Sequence, residues 1–400
     1  MTGRAGRSDT AAAARRGMAA LAVLFLARIA VSFQFQSVAP LSALLGERFP
    51  VSLSGLGLLL GLYMAPGIAV ALSLPSLIGR FGRTAIICLA LVLMAAGEIL
   101  LWAAPTLELA AAARLVGGAG GCVIYIITIN MVADLDTTVS SAARMGIIAA
   151  AWPFGNAFAL GLLGWLVQSA PDVARHAPLA LALAALVATG LLLLFGNVRA
   201  MAAAQSPREA GWGVVLRRIW PAAFSFAFYN IGFIILTGFA GRILLEDGID
   251  PSVASGIAGI PMWMFLLSVP LGGFLAGRSV ARGRWLVAFG CLTGAAAVLA
   301  TAGGSHHWPL YLVAGLVGGL PTAPMLSRGR DASGEGTDIT YSALFFVFFA
   351  ALLVLPPLAG TAADLAGTGH VILVVVAIHL LLATALFELA LRRTTHAPST

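Results

Sequence analysis

Long apolar runs separated by short polar connections fill the chain from residue 18 to residue 391. They fall near 18–43, 53–78, 84–104, 107–132, 143–168 and 178–197, then near 220–243, 253–276, 285–303, 308–326, 340–362 and 369–391. About 20 apolar residues in a helix rising 1.5 Å each span a hydrocarbon core of about 30 Å. The pattern therefore predicts an all-α membrane protein with twelve transmembrane helices. The first run follows Arg15 and Arg16 as a signal peptide would. It is too long for one, carries Arg28 near its middle, and is followed at once by another span.

The longest polar connection, 199–219, contains Gln205-Ser206-Pro207-Arg208-Glu209 and Arg217-Arg218 and separates two sets of six runs. Short matches recur across it at one offset of 201 residues. Ser54-Gly55 matches Ser255-Gly256, Leu115-Val116-Gly117-Gly118 matches Leu316-Val317-Gly318-Gly319, and Ser141-Ala142 matches Ser342-Ala343. Three matches in one register predict a duplicated unit and two pseudo-symmetric six-helix bundles, a plan whose binding site lies between the repeats at the midplane. The predicted organisation is a tail over 1–17, a bundle over 18–198, a central loop over 199–219, a bundle over 220–391 and a tail over 392–400.

Composition agrees: 60% of residues are hydrophobic, 10% are charged and the mean hydropathy is +0.98, too little charge to cover a soluble domain. The net charge of +7 would suit nucleic acid or anionic lipid. Its arginines instead sit in short clusters between apolar runs, which argues against a polyanion partner. With both termini placed in the cytoplasm, the inside connections and tails are rich in arginine and the acidic residues are not biased, as the positive-inside rule requires. All 23 basic residues are arginine, which with the Ala, Gly and Leu content points to a GC-rich bacterium and its inner membrane. Cys88, Cys122 and Cys291 lie singly in apolar runs and read as small buried residues. No metal-spacing motif and no nucleotide loop occurs, so no cofactor, metal or ATPase part is expected, and no enzyme activity.

The connection Pro75-Ser76-Leu77-Ile78-Gly79-Arg80-Phe81-Gly82-Arg83 resembles the loop motif of the major facilitator superfamily, Gly-x-Leu-x-Asp-Arg-x-Gly-Arg. Gly273-Phe274-Leu275-Ala276-Gly277-Arg278 is similar to its degenerate copy in a second half. Arg114-Leu115-Val116-Gly117-Gly118-Ala119-Gly120 resembles the family's fourth-helix motif, and Trp152-Pro153-Phe154-Gly155 its fifth-helix motif. Phe33-Gln34-Phe35-Gln36 is similar to the opening of the cyanate-permease-like branch. The resemblance implies transport by alternating access, a cavity lined by the first, fourth, seventh and tenth helices, and gating roles for Arg80, Gly82, Arg83 and Arg278. The motif's acidic position is Gly79 here and Gly277 in the second half. That leaves the family's charged latch in doubt, with Asp134 or Asp136 as possible substitutes.

An ionised side chain at membrane depth costs at least about 2.5–3.5 kcal/mol, so Arg28, Glu98 and Arg114 are the candidate functional charges. Glu98 and Arg114 flank the turn at Pro105-Thr106 and fall at similar depth, which predicts an ion pair or a shared network. It would be either a structural neutralisation or a proton-coupling carboxylate. Arg114, Gly118, Gly121, Tyr125 and Thr128 share a helix face, which suits a wet wall or close helix packing. Arg28, Ser32 and Gln36 share a face of the first run, and the repeat offset sets Tyr229 opposite Arg28 with Asn230 beside it. Arg28, Gln36, Tyr125, Tyr229 and Asn230 are thus the predicted substrate contacts. A fixed guanidinium there would favour an anionic or strongly polar solute, unless Arg28 is bonded to backbone carbonyls. Trp152 and Trp263 read first as core packing, and Asp364 as a solvated outer residue. Glycine pairs such as Gly57-x-x-x-Gly61 predict close helix contacts.

The expected protein is a secondary transporter of a small solute in the lipid bilayer, coupled to H+ and monomeric. A proton-driven drug exporter of the same fold is the alternative, kept open by Met262-Trp263-Met264. A membrane sensor or scaffold that has lost transport is a third reading, from another class.

Overall fold

The computed structural model describes residues 2–133, 141–195, 212–276, 279–303, 307–333 and 337–395. Among them every regular element is helical. The first half comprises α1 (Thr2–Gly46), α2 (Leu53–Met64), α3 (Gly67–Phe81), α4 (Arg83–Ala103), α5 (Leu107–Ala133) and α6 (Ser141–Phe158). A π-helical turn (Ala159–Leu163) leads from α6 into α7 (Gly164–Ser169), followed by α8 (Pro171–Ala174) and α9 (Ala177–Phe195). The second half comprises α10 (Trp212–Glu246), α11 (Pro251–Ala276), α12 (Val280–Thr301), α13 (His307–Gly318), α14 (Thr322–Ser333), α15 (Thr337–Ala366) and α16 (Val371–Thr395).

Eleven spans in the described residues are long and apolar enough to cross a membrane. α9, where the sixth run was expected, supplies a shorter apolar stretch, Ala177–Leu191. Two expected spans are broken. α2 and α3 are separated at Ala65-Pro66, where proline removes a backbone donor, and α13 and α14 part at Gly319-Leu320-Pro321. The tight connection from α3 to α4 turns on Gly82, whose φ of 79° suits a residue without a side chain.

Within the first half α4 packs on α5 and α9, and α1 on α6. In the second, α10 packs on α15 and α16, and α11 and α12 pack on α13. The halves meet chiefly through α2 against α15 and α6 against α11. The first contact follows from sequence chemistry. Pro356 and Pro357 inside α15 remove the helical donors for the carbonyls of Leu352 and Leu353. Those two carbonyls lie 2.8 and 3.1 Å from where a Cβ on Gly61 would stand. Only glycine admits them, and Gly57 and Gly360 make the same close approach against Pro356 and Leu53 backbone. The paired glycines are therefore packing elements, placed where the two halves meet.

Candidate functional site

Between the halves lies a cavity of about 120 Å³. α1, α5 and α6 wall it on one side, α10, α11, α14 and α15 on the other. Its lining runs from the middle of the spans toward the side carrying the termini, ending near Ile129, Ile148, Leu326 and Tyr341. Seven of its side chains are aromatic: Tyr125, Trp152, Phe226, Phe233, Phe265, Tyr341 and Phe345. Its other polar groups among the described residues are Arg28, Asn230 and Thr322, and no carboxylate among those residues lines it.

Arg28, the single cation of this wall among the described residues, is 4% exposed. One Nη donates to the Tyr125 carbonyl at 2.8 Å and to Thr128 Oγ1 at 3.1 Å. The guanidinium carbon stands 4.0 Å from the centre of the Tyr125 ring, a cation–π contact. Its Nε is buried without a partner. A buried donor with nothing to bond is costly, and here the donor belongs to a cation on a cavity wall. Tyr125 also meets Trp152 edge-on at 5.3 Å and, across the halves, Phe345 at 5.4 Å. The aromatic wall is thus continuous between the bundles.

The remaining predicted residues separate by position. Asn230 lines the cavity and spends one amide hydrogen on the Phe226 carbonyl at 2.8 Å. Tyr229 turns the other way, its hydroxyl bonded to the Gly318 carbonyl and to Thr322 Oγ1 at 2.7 Å. Neighbouring residues on a helix point about 100° apart, and the cavity falls on the side of Asn230. Gln36 sits beyond the cavity and not on its wall. Its Nε2 donates at 3.3 Å to the carbonyl of Thr237, 201 positions away. Two residues related by the repeat offset therefore touch, which locates the pseudo-two-fold axis between α1 and α10.

Glu98 and Arg114 form no direct salt bridge. Arg114 Nε donates to the Leu59 carbonyl at 3.0 Å, and its two terminal nitrogens donate to the carbonyls of Gln34 and Phe35 at 2.7 Å each. Pro40 lies one turn further along α1 and removes the helical donor for the Gln36 carbonyl. Two of the arginine's three acceptors lie on the α1 turn before Pro40, and the third, the Leu59 carbonyl, is on α2. Tyr63 covers the guanidinium at 4.3 Å, and its hydroxyl donates to Gln34 Oε1 at 3.0 Å. Arg114 is therefore a staple joining α5 to α1 and α2. Glu98 is buried nearby with Oε2 unpartnered. The face shared by Arg114, Gly118, Gly121 and Tyr125 changes neighbour along its length. Gly118 and Gly121 pack on Tyr63, whereas Tyr125 lines the cavity and Thr128 accepts from Arg28 behind it.

Of the predicted gating residues, Arg80 is exposed with its guanidinium 5.2 Å from the Phe81 ring, and Gly82 makes the turn before Arg83. Arg278, Gly277, Asp134 and Asp136 lie outside the described residues. Trp152 is a cavity residue, while Trp263 meets Phe154 edge-on at 5.7 Å. Asp364 is exposed, in line with its solvated reading from sequence, and also accepts from the Leu53 and Ser54 amides at 3.1 and 2.9 Å. It thus caps the start of α2 from the opposite half. Arg242 of α10 donates to the Val51 carbonyl at 2.9 Å in the same region. These ties close the side away from the termini. The sequence carried no signal for them, because each joins distant segments through a backbone group.

The family model of the Major Facilitator Superfamily matches residues 24–327, about three quarters of the chain. The chain belongs to this superfamily. Two solved structures of a bacterial homolog to the human lysosomal transporter Spinster share its fold. The inward-facing, unoccupied form has a TM-score of 0.72 at 16% identity, covering 94% of this chain and 97% of that one. The inward-facing, occupied form gives 0.68, with the same identity and coverage. No curated protein matches. The superfamily member described here is thus a multi-pass membrane protein with the fold of a secondary transporter, and family and fold point to a transporter rather than an enzyme.

Proposed function

We propose that this chain moves a small organic anion with an apolar or aromatic body across a bacterial inner membrane by alternating access. The observation that carries the reading is Arg28: a buried guanidinium on a cavity wall, without an acid partner among the described residues and with one nitrogen unbonded. Fixed positive charge selects carboxylate or phosphate groups, and the seven aromatic side chains suit the rest of such a solute. Asn230 and Thr322 would orient it from the second half. Closure away from the termini, with the cavity reaching toward them, corresponds to an inward-facing state if both termini are cytoplasmic.

Proton coupling is part of the proposal and rests on Glu98. A buried carboxyl with an unpartnered oxygen is costly as an anion, so its protonation would respond to movement of the α4–α5 pair. Glu98→Gln should abolish proton-driven accumulation in proteoliposomes while leaving counterflow intact; unchanged accumulation would remove Glu98 from the mechanism. The aromatic lining together with Met262 also favours a second reading, a drug exporter. Uptake of radiolabelled aryl carboxylates compared with efflux of cationic dyes separates the two. Carboxylate transport lost in Arg28→Gln supports the first, and dye efflux untouched by that substitution supports the second.

A further inference from the structure

A second concavity lies on the outer face of the other bundle, away from the central cavity. α10 and α15 leave between them an apolar groove of about 560 Å³, in which Phe224 and Val354 are exposed. On α10 it extends from Gly213 to Phe228, roughly 22 Å at 1.5 Å per residue. It starts at the termini side, so it covers the depth of one hydrocarbon leaflet, about 15 Å, and reaches into the headgroup zone. Its wall is aromatic and aliphatic, with Trp220 near the entrance where an interfacial ring belongs.

Charge is found at that end only. Arg217 lines the groove, is exposed, and has no hydrogen bond or ion pair among the described residues. Arg393, exposed in the last turn of α16, holds its guanidinium 5.1 Å from the centre of the Trp220 ring. An apolar trough one leaflet deep, with two guanidinium groups at its interfacial end, has the polarity of a single anionic phospholipid. We propose that the groove seats an acyl chain of such a lipid while Arg217 and Arg393 hold its phosphate headgroup. A second copy of the chain fits less well, because a two-fold axis along the membrane normal would set the same arginines opposite each other. The clustering of arginines that argues against a general polyanion surface is compatible with this one localised site.

Native mass spectrometry of the purified full chain, offered equal amounts of phosphatidylglycerol and phosphatidylcholine with matched acyl chains, tests the proposal. Each arginine near a headgroup is worth about fivefold in affinity. The wild type should therefore retain phosphatidylglycerol on the order of twentyfold better. Arg217→Gln with Arg393→Gln should bring the two lipids to near parity, whereas Arg282→Gln, an exposed arginine at the start of α12, should change nothing. Val354→Trp should fill the groove and lower retention of both lipids, with melting temperatures confirming that each variant is folded. Equal retention of the two lipids by the wild type would overturn the site. So would a preference that survives the double substitution, an equal loss in Arg282→Gln, or dimers that disappear in Val354→Trp.

Discussion

Arg28 and Arg114 lie in the same bundle, both nearly inaccessible and each stacked on a tyrosine, yet their surroundings differ. All three nitrogens of Arg114 donate to main-chain carbonyls on two neighbouring helices. Arg28 uses one nitrogen, on two acceptors of α5, and leaves another bare beside a cavity. Burial of a charge does not distinguish structure from function. What distinguishes them is whether the protein itself completes the group's bonding.

The contrast is sharpest in stability. Arg114→Met removes three charge-assisted bonds that join three helices, each worth more than a neutral hydrogen bond. A loss of about 3 kcal/mol or more is expected, read as a collapse of the monodisperse peak or of the melting temperature. Arg28→Met should leave folding within about 1 kcal/mol, because exchanging a buried charge for an apolar side chain is often neutral. The Tyr125 carbonyl also keeps Thr128 Oγ1 as a donor at 3.2 Å. If the two variants melt alike, the distinction fails.

The ties between the halves extend the comparison to the closed side. Asp364→Ala removes a cap from the start of α2, a change of about 0.5–2 kcal/mol that acts only on the closed conformation. A cysteine at Ser54 should become labelled several-fold faster in that background; an unchanged rate would mean that Asp364 does not hold the halves together. A smaller effect is expected where a carboxylate caps within its own half. Asp250, before α11, accepts from the hydroxyl and amide of Ser252, which holds its carboxyl below the usual aspartate range. A depressed value stabilises the folded state above the ordinary aspartate pKa and loses that contribution as pH falls through the depressed one. Asp250→Asn should therefore flatten slightly the fall in melting temperature below about pH 4, without altering labelling at residue 54.

The architecture was legible in the sequence because bilayer thickness sets the length of each apolar run; the contact of Gln36 with Thr237, 201 residues on, was not read from it. The site was legible in part. Arg28 and Tyr125 line the cavity from the first half, as charge and wheel position suggest, and Asn230 lines it from the second. Tyr229 and Gln36 do not, because a helix face can be read from spacing, whereas the neighbour it meets at each depth is fixed by packing. The same limit turned the expected Glu98–Arg114 pair into carbonyl contacts, since the α1 turn before Pro40 offers acceptors that no count along α4 and α5 could reveal. Backbone donors and acceptors have no sequence signature. The cap made by Asp364 was missed for that reason.

The central claim, that Arg28 binds the anionic group of the solute, is tested most directly by thermal shift of the purified protein against aryl carboxylates and matched aryl amines. Carboxylates should raise the melting temperature of the wild type and leave Arg28→Gln unmoved, with amines inert on both. Stabilisation by amines, or an equal carboxylate shift in Arg28→Gln, would contradict it.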